Sequence, residues 1–147
     1  MDISSVFDIS AAGMNLQRTR LEVSAINLAN ADTTRGPDGL PFTPLQVVAH
    51  ASASSFDALV QASRDGLPPT GLLPVAEVRA ADGPPRQVYD PSHPDANAQG
   101  YVSYPDINPV SEMVQLITIT RAYEANVRAL NAAHSMALKA LEIGSGR

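Results

Sequence analysis

Asp106-Ile107-Asn108-Pro109-Val110-Ser111-Glu112-Met113-Val114 decides how the chain divides, because Pro109 is the last of its twelve prolines and nothing beyond it breaks a helix. Asn108 is a cap residue, proline is tolerated at the first helical position, and Glu112 favours the positive end of the helix dipole. The pattern predicts one long helix from Pro109 to a natural stop at Gly144. Working back from there, every proline falls between Pro37 and Pro109, so the N-terminal end is proline-free as well. A proline inside a helix removes a backbone hydrogen bond and clashes with the preceding turn, at a cost of about 3 kcal/mol. Long helices are therefore permitted at both ends and forbidden between them. The expected fold class is α+β: two long terminal helices pair as a coiled-coil-like unit, with a small β-rich middle domain inserted between them. The boundaries are residues 1–31, 32–104 and 105–147.

The first helix is expected from about Ser4 to Asn30. Ile9, Ala12, Leu16, Thr19, Val23 and Ile26 recur at spacings of three and four, the seam of a coiled coil. Met14, Leu21, Ala25 and Leu28 form a second stripe roughly 140° away, leaving a thin polar strip of Gln17, Arg18, Arg20 and Glu22. In the second helix Met113, Leu116, Thr120, Tyr123, Val127, Leu130, His134, Ala137 and Leu141 hold the same spacing, and alanines fill much of the remaining surface. At 1.5 Å per residue the two rods measure roughly 40 and 50 Å, more than so small a domain requires. An intramolecular pair would cover one stripe on each helix, and the other stripe needs neighbouring chains. The residues expected to pack against other subunits are Ile9, Leu16, Val23, Ile26, Asn27, Leu28 and Asn30, and, in the second helix, Met113, Ile117, Tyr123, Val127, Leu130, His134 and Leu141. Asn27 and Asn30 have two readings: they end the helix, or their amides bond the backbone of adjoining subunits.

Between the helices, Arg35-Gly36-Pro37-Asp38-Gly39-Leu40-Pro41 is a type I or II turn by composition. Strands are expected over Gln46 to Ala53, Leu73 to Ala81, Arg86 to Tyr89 and Gly100 to Tyr104. Ser52 to Gly71 reads as a loop, with one helical turn around Phe56–Gln61. Asp90, His93 and Asp95 have metal-ligating side chains, but Pro91 and Pro94 make the segment extended and stiff, so a solvated turn is the stronger reading. His134 lies on the apolar seam and reads as a packed histidine. No nucleophile elbow, phosphate-cradling glycine loop or zinc-protease motif occurs, so neither catalysis nor a cofactor is expected.

Composition agrees. Three Phe, four Tyr and no Trp give little material for a massive core, and the absence of cysteine excludes disulfides and thiolate metal sites. The net charge of −5 argues against nucleic acid, and its placement is uneven: −1 over residues 1–30, −5 over 31–108 and +1 over 109–147. Nearly neutral ends suit burial against partners, and an acidic middle suits water. The N-terminus lacks the apolar run of a cleavable secretory signal, and no stretch approaches the ~20 apolar residues of a membrane span. That is the pattern of a cytosolic protein, or of one exported without a signal peptide.

Ser24-Ala25-Ile26-Asn27-Leu28-Ala29-Asn30-Ala31-Asp32-Thr33 resembles the N-terminal signature of bacterial flagellar rod and hook proteins. Three further stretches resemble the FlgC family of proximal-rod proteins in particular: Gly36 to Phe42, Val88 to Ala96 continuing through Gly100-Tyr101-Val102, and Asp106 to Val114 continuing to Arg121-Ala122-Tyr123-Glu124-Ala125-Asn126-Val127. The chain departs from that pattern at Ala133-His134-Ser135-Met136, where relatives often carry a lysine, and in the unmatched loop Ser52–Gly71. The resemblance implies a structural, non-enzymatic subunit of the basal-body rod that transmits torque. It implies export by the flagellar type III apparatus without a cleaved signal, and assembly in the periplasm. The implied partners are other proximal-rod subunits, the distal-rod protein and the ring-side adaptor, with no nucleic acid and no direct membrane insertion. Two other readings stand beside it: a different axial subunit of the flagellum, and a stand-alone helical binding adaptor.

Overall fold

The computed structural model describes residues 3–51 and 74–145, and the expected loop Ser52–Gly71, with its helical turn, lies outside the described residues. The described elements are helix α1 (Ile3–Ala29), strands β1 (Leu45–Ala51), β2 (Pro74–Ala80), β3 (Arg86–Tyr89) and β4 (Tyr101–Tyr104), and helix α2 (Pro109–Ser145). Two helices of 27 and 37 residues flank two small sheets, β1 with β2 and β3 with β4. This is the α+β architecture that the proline distribution implies.

Each helix ends for a local reason. Asn108 Oδ1 accepts from the main-chain N–H groups of Val110 and Ser111, capping α2 at its first turn. α2 runs one residue past the glycine expected to stop it. At the end of α1, Asn30 donates its side-chain amide back to the Ile26 carbonyl, and Thr33 Oγ1 donates to Asn30 Oδ1. Asn30 thus closes its own helix, as asparagine does where it competes with the ladder. The following turn closes through Gly39 N–H to Gly36 C=O and Gly36 N–H to Leu40 C=O. Gly39 takes φ +75°, whereas Asp38, like every other described non-glycine residue, does not have positive φ. Type II geometry would need positive φ at Asp38, so the turn is type I.

The chain forms two compact units. One combines Arg20–Val48 with Val78–Thr118, the other Met1–Thr19 with Ala49–Glu77 and Ile119–Arg147. In the first unit the buried residues are Val23, Ser24, Asn27, Ala31, Val102, Pro105 and Ile107, with Val102 at 0% exposure. β3 and β4 are antiparallel, with Arg86 opposite Tyr104, Gln87 opposite Ser103, Val88 opposite Val102 and Tyr89 opposite Tyr101. Successive strand residues alternate between faces, so Val88 and Val102 share the covered face while Gln87, Tyr89 and Tyr101 share the exposed one. In the second unit Ser10, Ile119 and Ala133 are buried. There α1 and α2 approach closely, since a Cβ added at Gly13 would stand 3.1 Å from Nδ2 of Asn126.

Candidate interaction site

The covered residues of α1 include part of the first apolar stripe, with Val23 buried and Ala12, Leu16 and Thr19 half-buried, but a second covered line lies beside it. Ser10, Gly13, Gln17, Arg20, Ser24, Asn27 and Ala31, again at three and four spacing, are buried or half-buried, whereas Ile9, Leu21 and Ile26 are exposed. The thin polar strip of the sequence therefore supplies part of the covered line, through Gln17 and Arg20. At Gly13 side-chain size explains the cover, since the absence of a side chain admits Asn126 of α2 at close range.

On α2 the covered line runs through Leu116, Ile119, Ala122, Asn126, Leu130, Ala133 and Ala137. Relative to the expected seam it is rotated: Leu116, Leu130 and Ala137 belong to both, but Met113, Tyr123, His134 and Leu141 are exposed. A helix this rich in alanine and medium-sized apolar residues contains several lines at three/four spacing, and periodicity alone cannot choose among them. Of the fourteen residues expected to pack against other subunits, Val23 and Asn27 are buried, and Leu16, Leu28, Asn30, Val127 and Leu130 are half-buried. Ile9, Ile26, Met113, Ile117, Tyr123, His134 and Leu141 are exposed, Ile117 at 55% and Leu141 at 69%. With Val110 and Val114 they leave large apolar side chains on both helices uncovered.

Asn27 makes a pair of intrachain bonds that the sequence does not announce. Its Nδ2 donates to the Leu45 carbonyl at 2.8 Å, and its Oδ1 accepts from the Leu45 N–H at 2.8 Å. The amide imitates one step of a β-ladder and pins the first residue of β1 to α1 of the same chain. Both polar atoms of the amide are thus engaged within the chain.

The segment between β3 and β4 is a series of turns, which corrects the expectation of an extended stretch. His93 N–H bonds to Asp90 C=O, Ala96 N–H to His93 C=O, and Gly100 N–H to Asn97 C=O. Pro91 and Pro94 each take the second position of a turn, where their fixed φ is suitable. Asp90 Oδ1 accepts from the Ser92 hydroxyl and the Ser92 N–H, and these bonds, the hydroxyl first, hold its carboxyl below the ordinary carboxylate range. His93 Nδ1 accepts from the Asp95 N–H. Asp95 in turn accepts from Thr34 Oγ1 at 2.8 Å and faces the Arg35 guanidinium at 3.5 Å, tying the turn after α1 to this loop. Asp90, His93 and Asp95 are thus committed to separate local bonds, and no group of three or more His, Asp or Glu placed to hold a metal occurs among the described residues.

Gly100 has φ +83°, and a Cβ there would stand 2.9 Å from Cε2 of Tyr89. Both the backbone and the ring thus demand glycine. Gly100→Ala is expected to lower stability by about 1–3 kcal/mol, read as a shift of the urea midpoint, and an unshifted midpoint would show that the loop rearranges freely.

Two long terminal helices carry exposed large apolar side chains on either side of a small β insertion, the features of a structural protein that packs against others, and no described helix is long and apolar enough to cross a membrane. The family described as flagella basal body rod protein matches residues 7–37, and the C-terminal family of flagellar basal body rod FlgEFG proteins matches residues 98–143. The chain is 40% identical over 144 residues to the flagellar basal-body rod protein FlgC of Escherichia coli O6:H1, covering 98% of this chain and 99% of that one. It is 40% identical over 142 residues to FlgC of Bacillus subtilis (93% and 95% covered) and 33% identical over 153 residues to FlgC of Borreliella burgdorferi (99% and 100% covered). The chain belongs to the FlgC family of flagellar basal-body rod proteins. With that membership come a structural role in the rod and a place in the flagellar basal body.

Proposed function

We propose that this chain is a non-enzymatic subunit of the proximal rod that carries torque from the rotor to the distal rod and hook by being stiff. The observation that carries this reading is the division of labour on its helices. One line on each helix, mixing small, polar and some apolar side chains such as Val23 and Ile119, is covered within the chain, while Ile9, Ile26, Met113, Ile117 and Leu141 remain open. Each large apolar side chain contributes roughly 1.5–3 kcal/mol when fully buried, so several per helix, repeated along an array, make a rigid shaft. Head-to-tail contacts between unlike patches give a helical array instead of a closed ring.

In this reading the chain works as three parts: residues 1–31 and 105–147 form the axial helices, and residues 32–104 form an outward middle domain. It leaves the cell interior through the flagellar type III export apparatus without a cleaved signal and assembles in the periplasm. Its neighbours are other proximal-rod subunits, the distal-rod protein and the ring-side adaptor, with neither nucleic acid nor membrane insertion involved.

Before assembly the open lines face water, so in dilute solution the outer parts of both helices are expected to be largely unfolded and to fold on joining the rod. Circular dichroism and amide exchange on the dilute chain test this. Rapid exchange near Ile9 and Leu141, with protection kept around Val102, is the expected result. Strong protection at both ends of the isolated chain would overturn it.

A further inference from the structure

The proposed role rests on the helices and assigns nothing to one built surface, the exposed face of the β3–β4 hairpin. Tyr89 and Tyr101, opposite one another in the register, are 65% and 44% exposed, with ring centroids 5.3 Å apart in an edge-to-face arrangement. Two of the chain's four tyrosines therefore stand together in water on a hairpin only four residues per strand.

Their position is fixed from several sides. Asn97 holds Tyr101 by accepting from its N–H through Oδ1 and by donating its own N–H to its carbonyl, both at 2.9 Å. Asp90 N–H bonds to Gly100 C=O at 2.9 Å, and the Tyr89 ring lies over Gly100, where even a methyl group would collide. Rigid, solvent-facing aromatic rings are the anchors from which interaction hot spots are made, because little entropy is lost when they are covered.

The electrostatics select the partner. Tyrosine faces are negative, and the unit that carries the hairpin has eight Asp/Glu against four Lys/Arg within Arg20–Val48 and Val78–Thr118. Among its cations, Arg86 lies 5.7 Å from the Tyr104 ring centroid and Arg35 faces Asp95. In a unit of net negative charge, exposed tyrosine π-surface is complementary to a cation.

We infer that the Tyr89–Tyr101 face of the hairpin docks an arginine- or lysine-bearing segment of a neighbouring protein, the cation seated on the paired rings. The inference stands on the hairpin alone and does not depend on which helix lines meet in an assembly.

A photo-reactive phenylalanine analogue placed at position 89 of the full chain, in cells that make it, should crosslink to a protein segment containing arginine or lysine. In parallel, the ring resonances of Tyr89 and Tyr101 in the purified chain should move on titration with tri-arginine peptide and stay in place with tri-glutamate. Tyr89→Phe should keep the response, and Tyr89→Ala should weaken it at least threefold. Slow exchange of the Val102 amide serves as the check that the hairpin remains folded in each variant. A crosslink to a glycan, to a segment without cations or to nothing, or equal responses to the two peptides, would overturn the inference. If the helix-based role failed while the crosslink appeared, only the rod assignment of the helices would fall.

Discussion

Cells whose sole copy carries Ile117→Asp are expected to lose swimming entirely while still exporting the protein. Ile117 is more than half exposed, so the substitution leaves the packing of the isolated chain intact. In an array the same position would be covered by a neighbour, and an unpaired carboxylate taken out of water there costs several kcal/mol at every copy. Ile117→Leu, which keeps shape and polarity, should swim normally. A swim-plate assay reads the phenotype, and urea unfolding of the purified variant should match the unaltered chain. Leu116→Asp provides the contrast, because Leu116 lies on the line covered within the chain and its loss should appear as instability. If Ile117→Asp cells swim, the open line on α2 is solvent-facing in the rod and the two-sided argument fails.

The two helices were legible because proline is decisive: it forbids a ladder bond wherever it falls, so Pro109 marks the start of α2 to the residue, while the end of α1 at Ala29, eight residues before Pro37, was legible from the Asn, Asp and Thr run that follows it. The four strands were legible from β-branched and alternating residues, with ends differing by at most one position where they lie among described residues. What periodicity could not supply was rotation about the helix axis. α2 offers several equivalent three/four lines, and only the packing partner selects Ile119 and Ala133 over Met113 and His134. On α1 apolarity told only part of the story: Val23 is buried and Ala12, Leu16 and Leu28 are half-buried, but Ser10, Gly13 and Ser24 are covered beside them while Ile9 and Ile26 are not. The tyrosine pair carries only half a signal in the sequence. Alternation from Gly100 to Tyr104 puts Tyr101 on one face, but nothing local states that Tyr89 stands opposite it.

Asn27→Leu should be among the most costly single substitutions in the first unit, although it conserves volume and is apolar. Asn27 is 4% exposed and satisfies both backbone groups of Leu45 at once. Leucine at this position would leave the Leu45 N–H and C=O without partners in a part-buried place, and a buried unsatisfied group costs about 1–3 kcal/mol. Because Leu45 is only half-buried and water can reach part of it, the expected loss is about 2–4 kcal/mol for the pair rather than the full sum. Asn27→Asp separates the two bonds: its carboxylate still accepts from the Leu45 N–H but places an oxygen against the Leu45 carbonyl. It should therefore fall between the native chain and the leucine variant in urea midpoint, with the Leu45 amide still protected in exchange. Equal midpoints for all three proteins would mean that α1 and β1 hold their relation without this amide, and the connection between the end of the first helix and the start of the sheet would need another cause.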